Sequence, residues 1–147
     1  MPGKAFWDTS ALLTLFVNQA ASSRARAVSR KLPHLVVWWG TTVEVRSAVA
    51  RLAREGALTA KGTAQALVRL NALRVRWDEV EPSDPVRRLA AGFPESRGLR
   101  AGDAFQLAAA LVWCKERPSR RPFVSFDNAL ADSAEAEGFD VHRILAR

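Results

Sequence analysis

One cysteine and two histidines are all that the sequence holds of the side chains that most readily bind transition metals. Cys114 has no partner for an internal disulfide, and with His34 and His142 it makes no zinc-type ligand set. A reducing, cytoplasmic setting is expected. The opening MPGKAFWDTS lacks the apolar run of a secretory signal, and every later apolar stretch is broken by charge before membrane-spanning length. A soluble protein that makes no use of the membrane is therefore expected. Neither a Walker-type lysine loop nor a GxGxxG loop occurs, and there is no internal repeat or low-complexity segment.

Arginine, by contrast, is abundant. The formal charge is +7, and 18 of the 22 basic residues are arginine, whose planar fork suits phosphate oxygens. A polyanionic partner and an ordinary solvated surface both account for that excess. With 147 residues and 48% apolar content, the chain is sized for one compact domain spanning residues 1–147.

Apolar periodicity alternates between strand and helix. Ala5–Trp7 is a short apolar run ending at Asp8, and Ser10–Val17 follows with the density of a buried helix. Ala21–Leu32 reads as an arginine-bearing helix stopped by Pro33, and Leu35–Trp39 as a strand ending at Gly40. Val43–Arg54 and Thr59–Leu73 have helical spacing, Arg74–Val80 alternates like an edge strand, and Val86–Ala91 reads as a helix after Pro82 and Pro85. Phe93–Arg100, with Pro94 and Gly98, reads as a loop. Asp103–Lys115 is apolar nearly all round and should be the most buried helix. Pro122–Ser125, Asn128–Glu137 and Asp140–Ile144 complete the order as strand, helix and strand. This pattern predicts an α/β layer fold with a mainly parallel central sheet, whose binding crevice lies at the carboxyl ends of the strands.

Four acids fall where that crevice is expected. Asp8 follows AFW, Glu44 follows VVWWGTTV, Asp127 follows FVSF, and Asp103 opens a helix after a loop. Each has a structural role available, because a carboxylate at a helix N-terminus caps free amides. Thr41 and Glu44 even fit a capping box, with Thr41 as the cap and Glu44 reaching back. As a set they imply more. Carboxylates crowded into one site raise one another's pKa unless a cation is present, and hard ions such as Mg²⁺ or Mn²⁺ prefer oxygen ligands. An ion held this way can promote attack of water on a phosphodiester.

Other chemistries find less support. His34 precedes a strand and His142 lies in one, and both read as partly exposed structural residues. Ser10 has no evident histidine partner for a triad, and Cys114, inside an apolar helix, reads as core. Core packing is the expectation for Trp38, Trp39 and Trp7, although Trp7 is placed where it could stack on a base.

The four acidic segments resemble those of PIN domains. FWDTSALLTLF is similar to the opening segment of that family, with Ser10 as the small hydroxyl residue two positions after the acid; TTVEVRSAVARLAREGAL resembles the second segment, LRAGDAFQLAAAL the third and FVSFDNALADSAEAEGFDV the fourth. The likeness runs in order over nearly the whole chain and looks most like the VapC-type toxins of bacterial toxin–antitoxin pairs. It implies a PIN-like three-layer α/β/α domain and a Mg²⁺- or Mn²⁺-dependent endoribonuclease that cleaves tRNA, rRNA or mRNA. It also implies a homodimer, silenced by a cognate antitoxin whose C-terminal segment lies across the site. Carried over to this chain, Asp8, Asp103 and Asp127 would hold metal directly or through water, and Glu44 would hold a metal or orient the attacking water. Ser10 and Ser125 would donate hydrogen bonds to those carboxylates, and Arg100 could contact a phosphate or serve as a surface arginine.

Many relatives carry a further acid close behind the fourth, whereas the next residue here is Asn128, so the number of ions, one or two, stays open. Asp132, Asp140, Asp78, Glu79 and Glu81 match no motif position and read as solvated charges. A non-catalytic RNA- or protein-binding PIN domain is the alternative. An aspartyl phosphotransfer domain also places an Asp after its first strand, but DTSAL lacks the second Asp of such phosphatases, and no acidic pair with a strand-end lysine is evident.

Overall fold

A computed structural model describes residues 3–144. In chain order the elements are β1 (Lys4–Trp7), α1 (Thr9–Phe16), α2 (Ser22–Lys31), β2 (His34–Trp38), α3 (Thr41–Arg54), α4 (Ala60–Arg74), β3 (Asp78–Val80), α5 (Asp84–Arg97), α6 (Ala101–Trp113), β4 (Pro122–Ser125), α7 (Asn128–Glu137) and β5 (Asp140–Arg143). The strands form one sheet in the order β3-β2-β1-β4-β5, and every pairing is parallel.

Because successive strand side chains point to opposite faces, each strand feeds two cores. Ala5, Trp7, Leu35, Val37 and Val124 pack with Leu12 and Phe16 of α1, Val45 and Val49 of α3, and Leu70 of α4. Phe6, Val36 and Phe123 pack on the other face with Val86 and Phe93 of α5, Leu107 and Leu111 of α6, and Leu130 of α7. The result is the three-layer α/β/α arrangement expected. Strands covered on both faces must be apolar throughout, as AFW, LVV and FV are. As predicted, α6 is deeply buried, with an unbroken run from Gln106 to Leu111 shielded from solvent.

Chain order reverses between β1 and β4. The first excursion winds outward through β2 to β3, and the second returns past β1 to β4 and β5. Such a switch point leaves a crevice beyond the strand ends, since the connections diverge to opposite sides. Asp8 and Asp127 follow the two strands that flank it.

Four local expectations are corrected. Phe93–Arg100 is not a loop, because α5 continues through Pro94 to Arg97. Pro94 removes one helical hydrogen bond, but Phe93 and Leu99 stay buried in the α6-side core and hold the helix to its end. The true stop is Gly98, with φ of 66°, whose N–H bonds back to the Pro94 carbonyl while that of Leu99 bonds to Phe93. Gly98→Ala is therefore expected to cost about 1–2 kcal/mol, read as a lower urea midpoint with unchanged slope. The third strand is only Asp78–Val80, because α4, which buries Ala66 and Leu70, runs on through Arg74. Thr41 and Glu44 form no capping box: Gly40 occupies the cap of α3, and both side chains face inward to other partners. Trp39 lies beyond the end of β2 and is 53% exposed rather than in the core.

Candidate active site

Asp8 is the most deeply set of the four acids, at 1% exposure. It terminates β1 and caps α1, its Oδ1 accepting from the Ala11 N–H at 2.9 Å and from Ser10 Oγ at 2.7 Å. Ser125 Oγ, at the end of neighbouring β4, donates to Oδ2 at 2.5 Å. Both serines also tie the strand ends together: Ser10 Oγ accepts from the Phe126 N–H at 3.0 Å, and Ser125 Oγ accepts from the Asp127 N–H at 3.0 Å. Ser10 and Ser125 thus both donate to the Asp8 carboxylate. Asp127 caps α7 through the Leu130 N–H at 3.0 Å. The bland capping role is therefore real for Asp8 and Asp127, and it coexists with their convergence.

Glu44, in the first turn of α3, reaches across to α1 and α6. Its Oε1 accepts from Thr9 Oγ1 at 3.1 Å and from Gln106 Nε2 at 2.7 Å. Gln106 is 1% exposed, and its amide N–H₂ also faces Thr9 Oγ1 at 2.9 Å and Thr41 Oγ1 at 3.0 Å. One buried amide therefore joins the starts of α1 and α3 to α6. Its own Oε1 has no hydrogen-bond partner among the described residues. Glu44 Oε2 faces Gly102, where an added Cβ would lie 3.0 Å from it.

Gln106, Thr9 and Thr41 were not anticipated from sequence. A signal was present, since Gln106 is the one polar residue in an otherwise apolar run from Ala104 to Val112.

Asp103 lies in the first turn of α6, half-buried, with Arg100 at the helix cap. Burial raises the Asp103 pKa, the charges of Asp127 and Glu44 raise it further, and Arg100 opposes them. The Glu44 pKa is also raised by burial, against the hydrogen bonds of Gln106 and Thr9. Burial carries Asp8 to about 7, despite its three hydrogen bonds, with repulsion from Asp127 adding to the effect. The four acids thus share one electrostatic site. The donor set is oxygen alone, the chemistry that suits a hard divalent ion. Among the described residues no three His, Cys, Asp or Glu side chains form a ready-made cage.

The remaining polar residues stand elsewhere. Asn128 accepts from Arg143 Nη1 at 3.3 Å and is exposed, while Arg143 also pairs with Asp132 at 2.6 Å and Glu135 at 3.0 Å. Asp78 pairs with Lys4 at 3.3 Å, Glu79 accepts from Trp77 Nε1 at 3.0 Å, and Asp140 contacts His142 at 3.2 Å. His34 is exposed at the start of β2, and Cys114 is buried at the end of α6, where burial pushes its thiol pKa up. Trp7 is fully buried.

The PIN domain family model matches residues 5–136, from the first strand to the last helix. The chain belongs to the PIN domain family. A sequence comparison with curated proteins gives no match. Solved structures that share the PIN fold include a toxin–antitoxin complex from Klebsiella pneumoniae, with a TM-score of 0.65 at 18% identity over 97% of this chain and 99% of that one. FitAcB from Neisseria gonorrhoeae superposes with a TM-score of 0.65 at 19% identity, covering 95% of this chain and 97% of the other. VapBC-5 from Mycobacterium tuberculosis, of the VapBC family of toxin–antitoxin systems, gives 0.61 at 21% identity over 97% and 99%. At these identities the likeness establishes the fold.

Proposed function

We propose that this PIN domain is a Mg²⁺- or Mn²⁺-dependent endoribonuclease that hydrolyses RNA phosphodiester bonds, acting as the toxin of a toxin–antitoxin pair. The observation that carries this reading is the coupling of four carboxylates around the switch point, with Asp8 held near neutral pKa by burial and by Asp127. Asp8, Asp103, Asp127 and Glu44 would hold the ion, either directly or through water. When bound, the ion would polarise the scissile phosphodiester and offset the charge that develops there. Ser10 and Ser125 keep both oxygens of Asp8 in fixed directions. Gln106 and Thr9 hold Glu44 by one oxygen and leave the other toward the start of α6, where Gly102 makes room for it. Arg100 stands beside Asp103, where a guanidinium can meet a phosphate.

The toxin reading is supported by the fold shared with toxin–antitoxin proteins, and it brings a cognate antitoxin and a homodimeric, cytoplasmic protein with it. No helix among the described residues is long and apolar enough to cross a membrane. The deciding experiment incubates total cellular RNA with purified protein and Mg²⁺ or Mn²⁺, beside an EDTA control, and maps the new ends. Discrete cuts that vanish in EDTA support the nuclease. Uncut RNA with folded, metal-supplied protein would leave an RNA- or protein-binding PIN domain.

Gln106→Leu tests the bridge at Glu44. It keeps side-chain bulk but takes the donor from buried Thr41 and from Glu44, so the melting temperature should fall somewhat, while cleavage falls about ten- to hundredfold. Because Glu44 loses the donor that opposes its raised pKa, the acidic limb of the pH–rate profile should move to higher pH. An unmoved profile with full activity would make Gln106 a packing residue only.

A further inference from the structure

Trp38 and Phe105 form a parallel aromatic stack. Their rings are 5.4 Å apart, within 3° of parallel. Trp38 ends β2 and Phe105 lies two residues after Asp103 in α6, so the pair joins the helix starts that carry Glu44 and Asp103. The Trp38 indole is seated over Gly40, where a Cβ would come within 2.7 Å of its Nε1. That position must stay bare for the ring to lie as it does.

Both rings line an open cleft of about 410 Å³, completed by Pro82, Ser83, Asp84, Val86 and Arg87 at the start of α5, with Arg87 paired to Asp84 at 2.8 Å. This is the size range of small-molecule sites. Asp103 and Phe105, two positions apart on a helix turning about 100° per residue, project to nearly opposite sides of α6, so the cleft lies on the flank away from Asp103. Its link to the site is on the Glu44 side, where Gln106, the chain neighbour of Phe105, donates to Glu44 Oε1 at 2.7 Å, and a strand held at the acids would continue past Glu44 to reach it.

We propose that the Trp38–Phe105 cleft is a nucleobase subsite, which takes by stacking one unpaired base of a strand that continues past Glu44. This rests on the nuclease reading for its register but concerns binding, so the two can be tested apart. A slot with parallel aromatic rings as its wall suits a planar heterocycle rather than a branched peptide side chain. Bases paired in a duplex cannot enter it. The cleft therefore selects single-stranded segments, loops or bulges, while the arginine-rich surface supplies attraction without regard to sequence.

The test is binding in EDTA, where no cleavage intervenes, of a short labelled single-stranded RNA and of an RNA duplex of equal length. Phe105→Leu should weaken single-strand binding about tenfold and leave duplex binding unchanged, and Phe105→Tyr should restore it. An abasic nucleotide moved along the strand should cost wild type about tenfold at one position and cost Phe105→Leu nothing there. Equal binding of single strand and duplex by wild type, or no effect of Phe105→Leu, would overturn the proposal. So would a Phe105→Leu protein that binds RNA normally but no longer binds a partner protein, which would assign the cleft to that partner. A wild-type protein that shows the stacking signature yet cuts nothing with Mg²⁺ would keep the subsite and remove the nuclease.

Discussion

Asp8→Asn is expected to abolish metal-dependent RNA cleavage and at the same time to make the metal-free protein more stable at pH 8. The loss of activity follows from replacing a charged oxygen donor with a neutral amide at the deepest carboxylate of the site. The gain in stability follows from linkage. Burial raises the Asp8 pKa from 3.8 to about 7 in the folded chain. Below 3.8 both the folded and unfolded chains carry the proton, and Asp8 has no effect on their balance. Between 3.8 and about 7 the unfolded chain has released its proton and the folded chain retains it, so stability falls as pH rises. Above the folded value the loss is complete and amounts to about 4 kcal/mol at ~1.4 kcal/mol per pH unit.

The amide can satisfy the same frame. Its oxygen accepts from Ala11 N–H and Ser10, its N–H₂ faces Ser125 Oγ, and the Ser125 hydroxyl hydrogen can turn to the Asp127 carbonyl 3.1 Å away. Urea denaturation in EDTA at pH 5 and pH 8 should therefore show wild type losing stability and Asp8→Asn holding it. A variant less stable than wild type at pH 8 would show that the Asp8 charge is compensated by its hydrogen bonds and costs the fold nothing.

Asp103→Asn and Asp127→Asn are expected to lower cleavage by about a hundredfold or more with the fold intact, beyond what loss of a supporting residue produces. Asn also caps helices, so α7 keeps its start when Asp127 is replaced. Asp103 caps nothing, because α6 begins without a side-chain cap. The readout that separates metal binding from general damage is the melting temperature with and without Mg²⁺. Wild type should melt higher with the ion, because it binds the folded carboxylates and relieves their repulsion, and each variant should lose most of that rise. Full activity in Asp8→Asn, Asp103→Asn and Asp127→Asn together would remove the site assignment altogether.

Much of this architecture is legible in the sequence. AFW-Asp8 and FVS-Phe126-Asp127 announce an apolar strand ending in a polar group, and the layer order follows from strands alternating with amphipathic helices. The places where local reading fails have a common cause. Phe93–Arg100 contains Pro94 and Gly98, strong breakers in isolation, yet buried Phe93 and Leu99 keep the helix intact to Gly98. Trp38 and Trp39 are chemically identical neighbours, and only the end of β2 separates a ring stacked on Phe105 from one at the surface. Thr41 and Glu44 match a capping box letter for letter, but Gln106, 62 residues after Glu44, competes for both side chains and takes them.

What the sequence by itself determined is the set of elements, the family and the identity of the four acids, because periodicity, strand-end position and motif order are properties of neighbours along the chain. What only the tertiary structure decided is which groups meet: Ser125 on Asp8 across 117 residues, Gln106 on Thr9 across 97, and Trp38 on Phe105. Those contacts depend on strand order and on where each strand ends. A parallel sheet brings together residues distant in sequence, and burial then raises the Asp8 pKa through desolvation that no local pattern records.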